Sequence, residues 1–219
     1  MLNLRLGKLE SAAYRVLCLG AHSDDIEIGC GGTILELLRQ SGHVVVRWMI
    51  FSSNEERTAE ARLSARAFLE GAAECEVVVN QYRDGFLPFL GAQVKGEFEA
   101  LKGEFDPDLI FTHYRDDRHQ DHRLISDLTW NTFRNHLILE YEIPKYDGDL
   151  GQPNFFVPLD ESICTRKVQN ILESFRSQRQ KRWFDEQTFL AIMRLRGMEA
   201  NAPTRYAEAF YCRKAVLGS

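Results

Sequence analysis

Residues 14–42, YRVLCLGAHSDDIEIGCGGTILELLRQSG, decide the fold. Tyr14 to Gly20 is an apolar run of strand length. It breaks into the polar turn AHSDD and then into the glycines of GCGG. TILELLRQSG follows with Ile34, Leu37 and Leu38 on one helical face and Gly42 as a stop signal. The stretch therefore reads strand, loop, helix.

The same alternation continues outward. HVVVRWMIF (His43 to Phe51) is a continuous apolar run, as expected of a strand covered on both faces, and the alanine-rich stretch from Arg57 to Gly71 reads as the next helix. A strand near Glu76 to Val79, a helix near Ala92 to Glu104 and a strand at Leu109 to His113 follow. Strand-helix units of this length predict an α/β fold: a Rossmann-like three-layer sandwich with a mostly parallel, doubly wound sheet and right-handed crossovers. Further on, a helix is expected from Asp121 to about Asn135. Strands at Leu137 to Ile143 and Asn154 to Val157 flank the loop PKYDGDLGQP, and helices are expected at Ser162 to Arg179 and Glu186 to Arg196 before a strand-like end at Tyr206 to Val216. No repeat, low-complexity tract or linker interrupts the pattern, so one domain is expected over residues 1–219.

Composition narrows the function. With 44% hydrophobic and 27% charged residues the chain is an ordinary globular one. A net charge of −5 and a pI near 5.7 argue against nucleic acid as a partner. RSQRQKR (Arg176 to Arg182) is a local exception that reads as a solvated helix face. The N-terminal MLNLRLGKLESAAYR lacks an apolar signal core, and no stretch approaches the roughly 18 uninterrupted apolar residues of a transmembrane segment. The expectation is a cytoplasmic protein with small-molecule partners, and nothing in the sequence excludes a homo-oligomer. Five cysteines without a C-x-x-C pair are expected to be free thiols, with Cys18 and Cys212 acting as small buried hydrophobes.

Ligands of open parallel sheets bind beyond the carboxyl ends of the strands. Two polar clusters fall there: Ala21-His22-Ser23-Asp24-Asp25 after the first strand, and Arg118-His119-Gln120-Asp121-His122 after the strand ending at His113. A single His-Asp pair is usually a solvated turn; two such clusters, each behind an apolar strand, point to a site. His22 and Asp25 are three residues apart, close enough for a turn entering a helix to fold both onto one metal ion. Asp24 then points elsewhere and is free to accept a proton. If His122 completes the sphere, two imidazoles and one carboxylate leave a position open for water, the composition of a catalytic zinc site. His119 then serves the reaction, with Asp121 available to orient its ring. The glycines Gly29, Gly31 and Gly32 do not fit G-x-G-x-x-G, and a carboxylate-rich turn would repel a pyrophosphate, so a dehydrogenase is disfavoured.

AHSDDIEIGCGGTI and DRHQDH resemble the AHPDDxE-x-x-x-GG and D-x-H-x-DH signatures of the LmbE/PIG-L de-N-acetylases. ERTAEARLSARAFLEG is similar to the R-x-x-E-A helix of that family, and RGMEANAPTRYAEAF carries a weaker likeness near the C-terminus. The resemblance implies a zinc-dependent hydrolase that removes an N-acetyl group from an amino sugar or glycoconjugate. It also implies His22, Asp25 and His122 as Zn2+ ligands, Asp24 as general base, and His119, supported by Asp121, as the group that stabilises or protonates the intermediate. Arg57 and the turn residue Asp84 fall where family members contact substrate; a helix-start salt bridge and a plain turn aspartate are the structural alternatives. Ser23 stands where the family usually has proline, which predicts a looser turn but removes no ligand.

Two other readings compete. A non-haem iron oxygenase also uses two histidines and a carboxylate, but it gives Asp24 nothing to do and favours an all-β pattern. A catalytically silent sugar-binding module on the same fold would be expected to have lost at least one of the ligands, the base or His119. The loop from Pro144 to Pro153 and the cations near Arg176 are candidates for lining a site for a nucleotide- or lipid-linked N-acetylhexosamine.

Overall fold

A computed structural model of the protein describes residues 13–41 and 43–216. Gly42, read above as a helix stop, and the N-terminal stretch before Ala13 lie outside the described residues.

Seven strands, β1 (Tyr14–Gly20), β2 (Val44–Ser52), β3 (Glu74–Tyr82), β4 (Leu109–His113), β5 (Leu137–Tyr141), β6 (Phe155–Leu159) and β7 (Tyr206–Cys212), form one sheet. Their order is β3-β2-β1-β4-β5-β7-β6. The neighbours among β1 to β5 are parallel, whereas β7 runs antiparallel to both β5 and β6. Alternation along the buried strands divides the core. Val16 and Cys18 of β1 join the cluster under helices α1 (Asp25–Gln40), α2 (Glu55–Phe68), α5 (Glu161–Ser174) and α6 (Glu186–Glu199). Leu17 and Leu19 join the opposite cluster, covered by α3 (Gly91–Glu104) and α4 (Gln120–Thr132). This is the expected three-layer α/β sandwich with a mostly parallel sheet. None of the helices among the described residues is long and apolar enough to cross a membrane.

α1 starts eight residues earlier than the helix read at Thr33, so the glycines of GCGG belong to the helix and not to a loop. Glycine weakens an isolated helix, but tertiary packing here demands its missing side chain. A Cβ on Gly29 would run into the fully buried Tyr141 ring, and one on Gly32 would come within 2.6 Å of Leu159 Cδ1. A buried ion pair braces the same stretch. Lys167 Nζ lies 2.6 Å from Glu208 Oε1 and donates to the Ile28 carbonyl, while the Glu208 carboxylate accepts from the amides of Gly32 and Thr33. Both partners are thus hydrogen-bonded beyond their mutual contact, the condition under which a buried pair is tolerated.

Two smaller expectations are corrected. α5 stops at Ser174, and Arg176–Gln178 form a 3-10 turn, so Arg176, Arg179, Lys181 and Arg182 are exposed on a turn and not on a helix face. All five cysteines are free; Cys18 is fully buried, whereas Cys212, the last residue of β7, is only partly so.

Candidate metal centre

The sheet order places β1 between β2 and β4, so successive connections leave β1 in opposite directions. The carboxyl ends of β1 and β4 are therefore the switch point at which open α/β sheets hold their ligands. Both predicted clusters lie there. After Gly20 the chain turns through Ala21–Asp24 into α1, with the His22 amide donating to Asp25 Oδ2 at 2.6 Å, which folds these two residues onto each other. After His113 it turns through Tyr114–His119 into α4. His119 is the N-cap residue of α4, and its Nδ1 accepts from the Asp121 amide at 3.2 Å.

His22, Asp25 and His122 converge and are buried. His22 Nδ1 lies 3.1 Å from His122 Nε2 and 3.3 Å from Asp25 Oδ2, and His122 Nε2 lies 3.6 Å from Asp25 Oδ1. The remaining nitrogen of each ring meets a carboxylate. His122 Nδ1 is 2.9 Å from Asp117 Oδ2, and His22 Nε2 is 3.0 Å from Asp84 Oδ1 and 3.3 Å from Asp121 Oδ2. With protons on these outward nitrogens, the two inward ones point lone pairs at each other beside a third acceptor. Three acceptors within 3.6 Å require a cation among them, either a proton on His22 or a metal ion. Two imidazoles and a carboxylate, each ring oriented from behind by an acid, are a donor set that fits a divalent transition metal.

The charges follow this geometry. Burial opposes a charge on His22, but Asp25, Asp121 and Asp84 outweigh it and hold the imidazole pKa well above its ordinary value. His122, desolvated and beside His113, is pushed down to about 3. Burial alone would raise Asp25; the imidazoles of His122, His113 and His22 hold it well below the carboxylate range. The hydrogen bond to His22 lowers the exposed Asp84 to about 2.

The other predicted residues surround this cluster. Asp24 is buried, and its Oδ1 lies 2.5 Å from Arg57 Nη2. The short β2–α2 connection explains that contact: Asn54 caps α2 by accepting from the Arg57 amide, which sets Arg57 in the first turn facing α1. Arg57 Nε is buried without a partner. Ser23, in place of proline, has its hydroxyl 3.2 Å from that of Ser53, a tie between the two loops that proline could not make. The His119 ring lies 4.8 Å from that of His22 and 4.6 Å from that of His122. Burial and then the charge of His22 lower its pKa, while Asp121 acts to raise it. The Asp121 carboxylate hydrogen-bonds not to His119 but to the Gly85 amide at 2.8 Å and the Leu87 amide at 3.2 Å. It thereby fixes the turn that carries Asp84, and it reaches His119 only through its charge.

Three residues of the site escaped sequence reading. His113 Nε2 accepts from the Ala21 amide at 2.9 Å and lies 3.2 Å from Asp25 Oδ2, pinning the residue before His22. Its signal was its place as the last residue of a strand at the switch point. Asp117, the first residue of DRHQDH, orients His122. Lys145, from the loop after β5, reaches Asp117 Oδ2 at 2.8 Å, and no short-range pattern marks it.

Glu27, in the first turn of α1, is fully buried with both carboxylate oxygens unpartnered. Burial raises its pKa well above the ordinary value, and the charges of Asp24 and Asp25 push the same way. A raised folded-state pKa stabilises the fold below the ordinary carboxylate range, and that contribution is lost as pH climbs through the raised value. In the metal-free protein, Glu27→Gln is therefore expected to gain in melting temperature over the parent progressively as pH rises. A difference independent of pH would show that Glu27 does not titrate in this way.

The fold and the cluster define an α/β protein with a candidate metal centre at the switch point of its sheet. Residues 17–133 match the PIG-L family, described as GlcNAc-PI de-N-acetylase, and the chain belongs to that family. Solved structures share the fold. A conserved protein from Thermus thermophilus is 22% identical at a TM-score of 0.73, covering 93% of this chain and 96% of that one. N,N'-diacetylchitobiose deacetylase from Pyrococcus horikoshii is 24% identical at 0.66, covering 90% and 83%. 4-Carboxy-2-hydroxymuconate hydratase from Pseudomonas putida is 16% identical at 0.69, covering 94% and 98%.

Proposed function

We propose that the protein is a zinc-dependent hydrolase that removes the N-acetyl group from an amino sugar or a glycoconjugate of the N-acetylglucosamine type. The observation that carries this reading is the set of three converging acceptors, His22, Asp25 and His122, beside a second carboxylate, Asp24, that takes no part in the set. Membership in the PIG-L family supports the choice of an amide on a sugar nitrogen, and the chitobiose deacetylase shows that the fold accommodates such chemistry.

In this reading His22, Asp25 and His122 hold Zn2+. When bound, the ion supplies Lewis acidity toward the acetamide carbonyl and lowers the pKa of a water for attack. Asp24 accepts the proton of that water, and the Arg57 guanidinium fixes which carboxylate oxygen remains free to do so. His119, which on protonation gives up the bond its Nδ1 accepts from the Asp121 amide, stabilises as an imidazolium the charge that develops on the carbonyl oxygen. Arg57 and Asp84 at the rim contact the sugar. Five free thiols and no membrane-crossing helix among the described residues fit a cytoplasmic setting.

The roles of Asp24 and His119 impose a bell-shaped pH profile, since one must be deprotonated and the other protonated. The negative charge of Asp121 favours the imidazolium of His119, so its removal lowers that pKa. Asp121→Asn is expected to move the alkaline limb toward lower pH. An unmoved limb, with fold and metal content intact, would leave Asp121 its contacts with His22, Gly85 and Leu87 and no coupling to His119.

The function itself is tested by incubating the zinc-loaded protein with a panel of N-acetylated sugars and their nucleotide- and lipid-linked conjugates, and assaying free amine. Release from at least one is expected; none from any would refute the reading.

A further inference from the structure

We propose that Lys145 is a positioning residue of the metal centre: it ties the loop 143–153 to the ligand His122 through Asp117. The inference rests on the metal site proposed above, and it concerns a residue beyond the 17–133 stretch that matches the family.

The Lys145 ammonium sits between two carboxylates, 2.8 Å from Asp117 Oδ2 and 2.6 Å from Asp149 Oδ2. Its side chain is only 11% exposed, and those of Asp117 and Asp149 are 3% and 6% exposed. The string is therefore withdrawn from the solvent that makes most surface pairs weak. Every oxygen of Asp117 is engaged. Oδ1 accepts from the His119 amide at 2.7 Å, and Oδ2 serves both His122 Nδ1 at 2.9 Å and Lys145 Nζ. Asp149 Oδ2 in turn accepts from the Arg118 amide at 2.7 Å, so the loop grips the DRHQDH segment at two points.

The loop has few other means of holding that position. It carries Tyr146 and Leu150 outward, 74% and 43% exposed, and Gly148 has a φ of 60°. Its far end is tied separately, by the Gly151 amide to Glu142 and the Gly151 carbonyl to Arg196. Between those ties, Lys145 is the link that reaches the metal centre. A carboxylate behind a ligating histidine sets the ring orientation and its basicity, and disturbing such a partner typically costs about 10–100-fold in metal affinity. Removing the cation that holds Asp117 in place disturbs it.

The test is the affinity of the purified full-length protein for Zn2+, measured by competition with a chromophoric chelator. Lys145→Met, which keeps Asp117 but frees it, is expected to bind zinc more weakly by up to about 10-fold, the low end of the cost of losing such a partner outright, with Lys145→Arg, which keeps the charge, intermediate or near the parent. Metal-free Lys145→Met is also expected to be cut faster by protease within 143–153. Zinc affinity of Lys145→Met within twofold of the parent would overturn the proposal, as would equal weakening in Lys145→Met and Lys145→Arg, which would make bulk and not charge the cause. If Lys145→Met does not fold, Asp149→Asn removes the other anchor of the same string; weakened zinc binding supports the link, and unchanged binding overturns it. His122→Ala separates the two levels of the argument. Parental zinc affinity there removes His122 from the ligand set, and with it the premise of this proposal, whereas zinc loss there with parental affinity in Lys145→Met refutes only the role of Lys145.

Discussion

Asp24→Asn protein is expected to bind its metal and fold as the parent does, yet to turn over substrate roughly 10²–10⁴-fold more slowly, the usual weight of general-base catalysis. Asp24 is next to a proposed ligand, but its carboxylate pairs with Arg57, with Oδ1 2.5 Å from Nη2. Asparagine keeps an acceptor oxygen for Arg57 while losing the basicity, so the guanidinium is not left without a partner. Metal content by elemental analysis and melting temperature are the controls. Near-parental turnover would transfer the role of base to another group, with Glu27 excluded by its burial behind the turn.

The contrasting variants are His22→Ala, Asp25→Ala and His122→Ala. Each removes one of three donors whose facing atoms lie 3.1 to 3.6 Å apart, so each is expected to strip the metal and abolish activity. Asp25→Ala carries a second cost, because Asp25 also accepts from the His22 amide and lies against His113. Its loss is expected to lower thermal stability as well, and the two histidine variants are expected to be less stable too when metal-free, because His22→Ala leaves Asp84 and Asp121 without the imidazole between them and His122→Ala leaves Asp117 without its ring partner. Elemental analysis of the three purified proteins is decisive: full metal occupancy in all three would exclude this ligand set.

These neighbouring carboxylates show why part of the site could be read without a structure. His22, Asp25 and His122 follow strands whose apolar runs are unmistakable, and the three-residue spacing of His22 and Asp25 holds within one turn of chain. β4 is read to the residue because Pro107 and the polar segment after His113 bound it. What escaped depended on contacts across the chain. GCGG reads as a break because glycine disfavours helix, but the room it leaves is taken by Tyr141, Leu159 and Glu208, which come from three later strands. Spacing suggested Asp121 as the partner of His119. In the folded chain the Asp84 turn approaches α4, and its amides capture that carboxylate instead. Lys145 acquires its place only when the loop after β5 folds over the segment before α4, a relation no local pattern encodes.

The hydratase of the same fold from Pseudomonas putida shows that the architecture does not dictate one reaction. The central claim, metal-dependent removal of an acetyl group, is tested most directly by titrating metal-free protein with Zn2+ and measuring acetate released from an N-acetylated sugar substrate. No release is expected without metal, then a rise in rate that saturates near one equivalent of zinc, with one free amine for every acetate. Acetate release by the metal-free protein at the rate of the zinc-loaded one would contradict the claim.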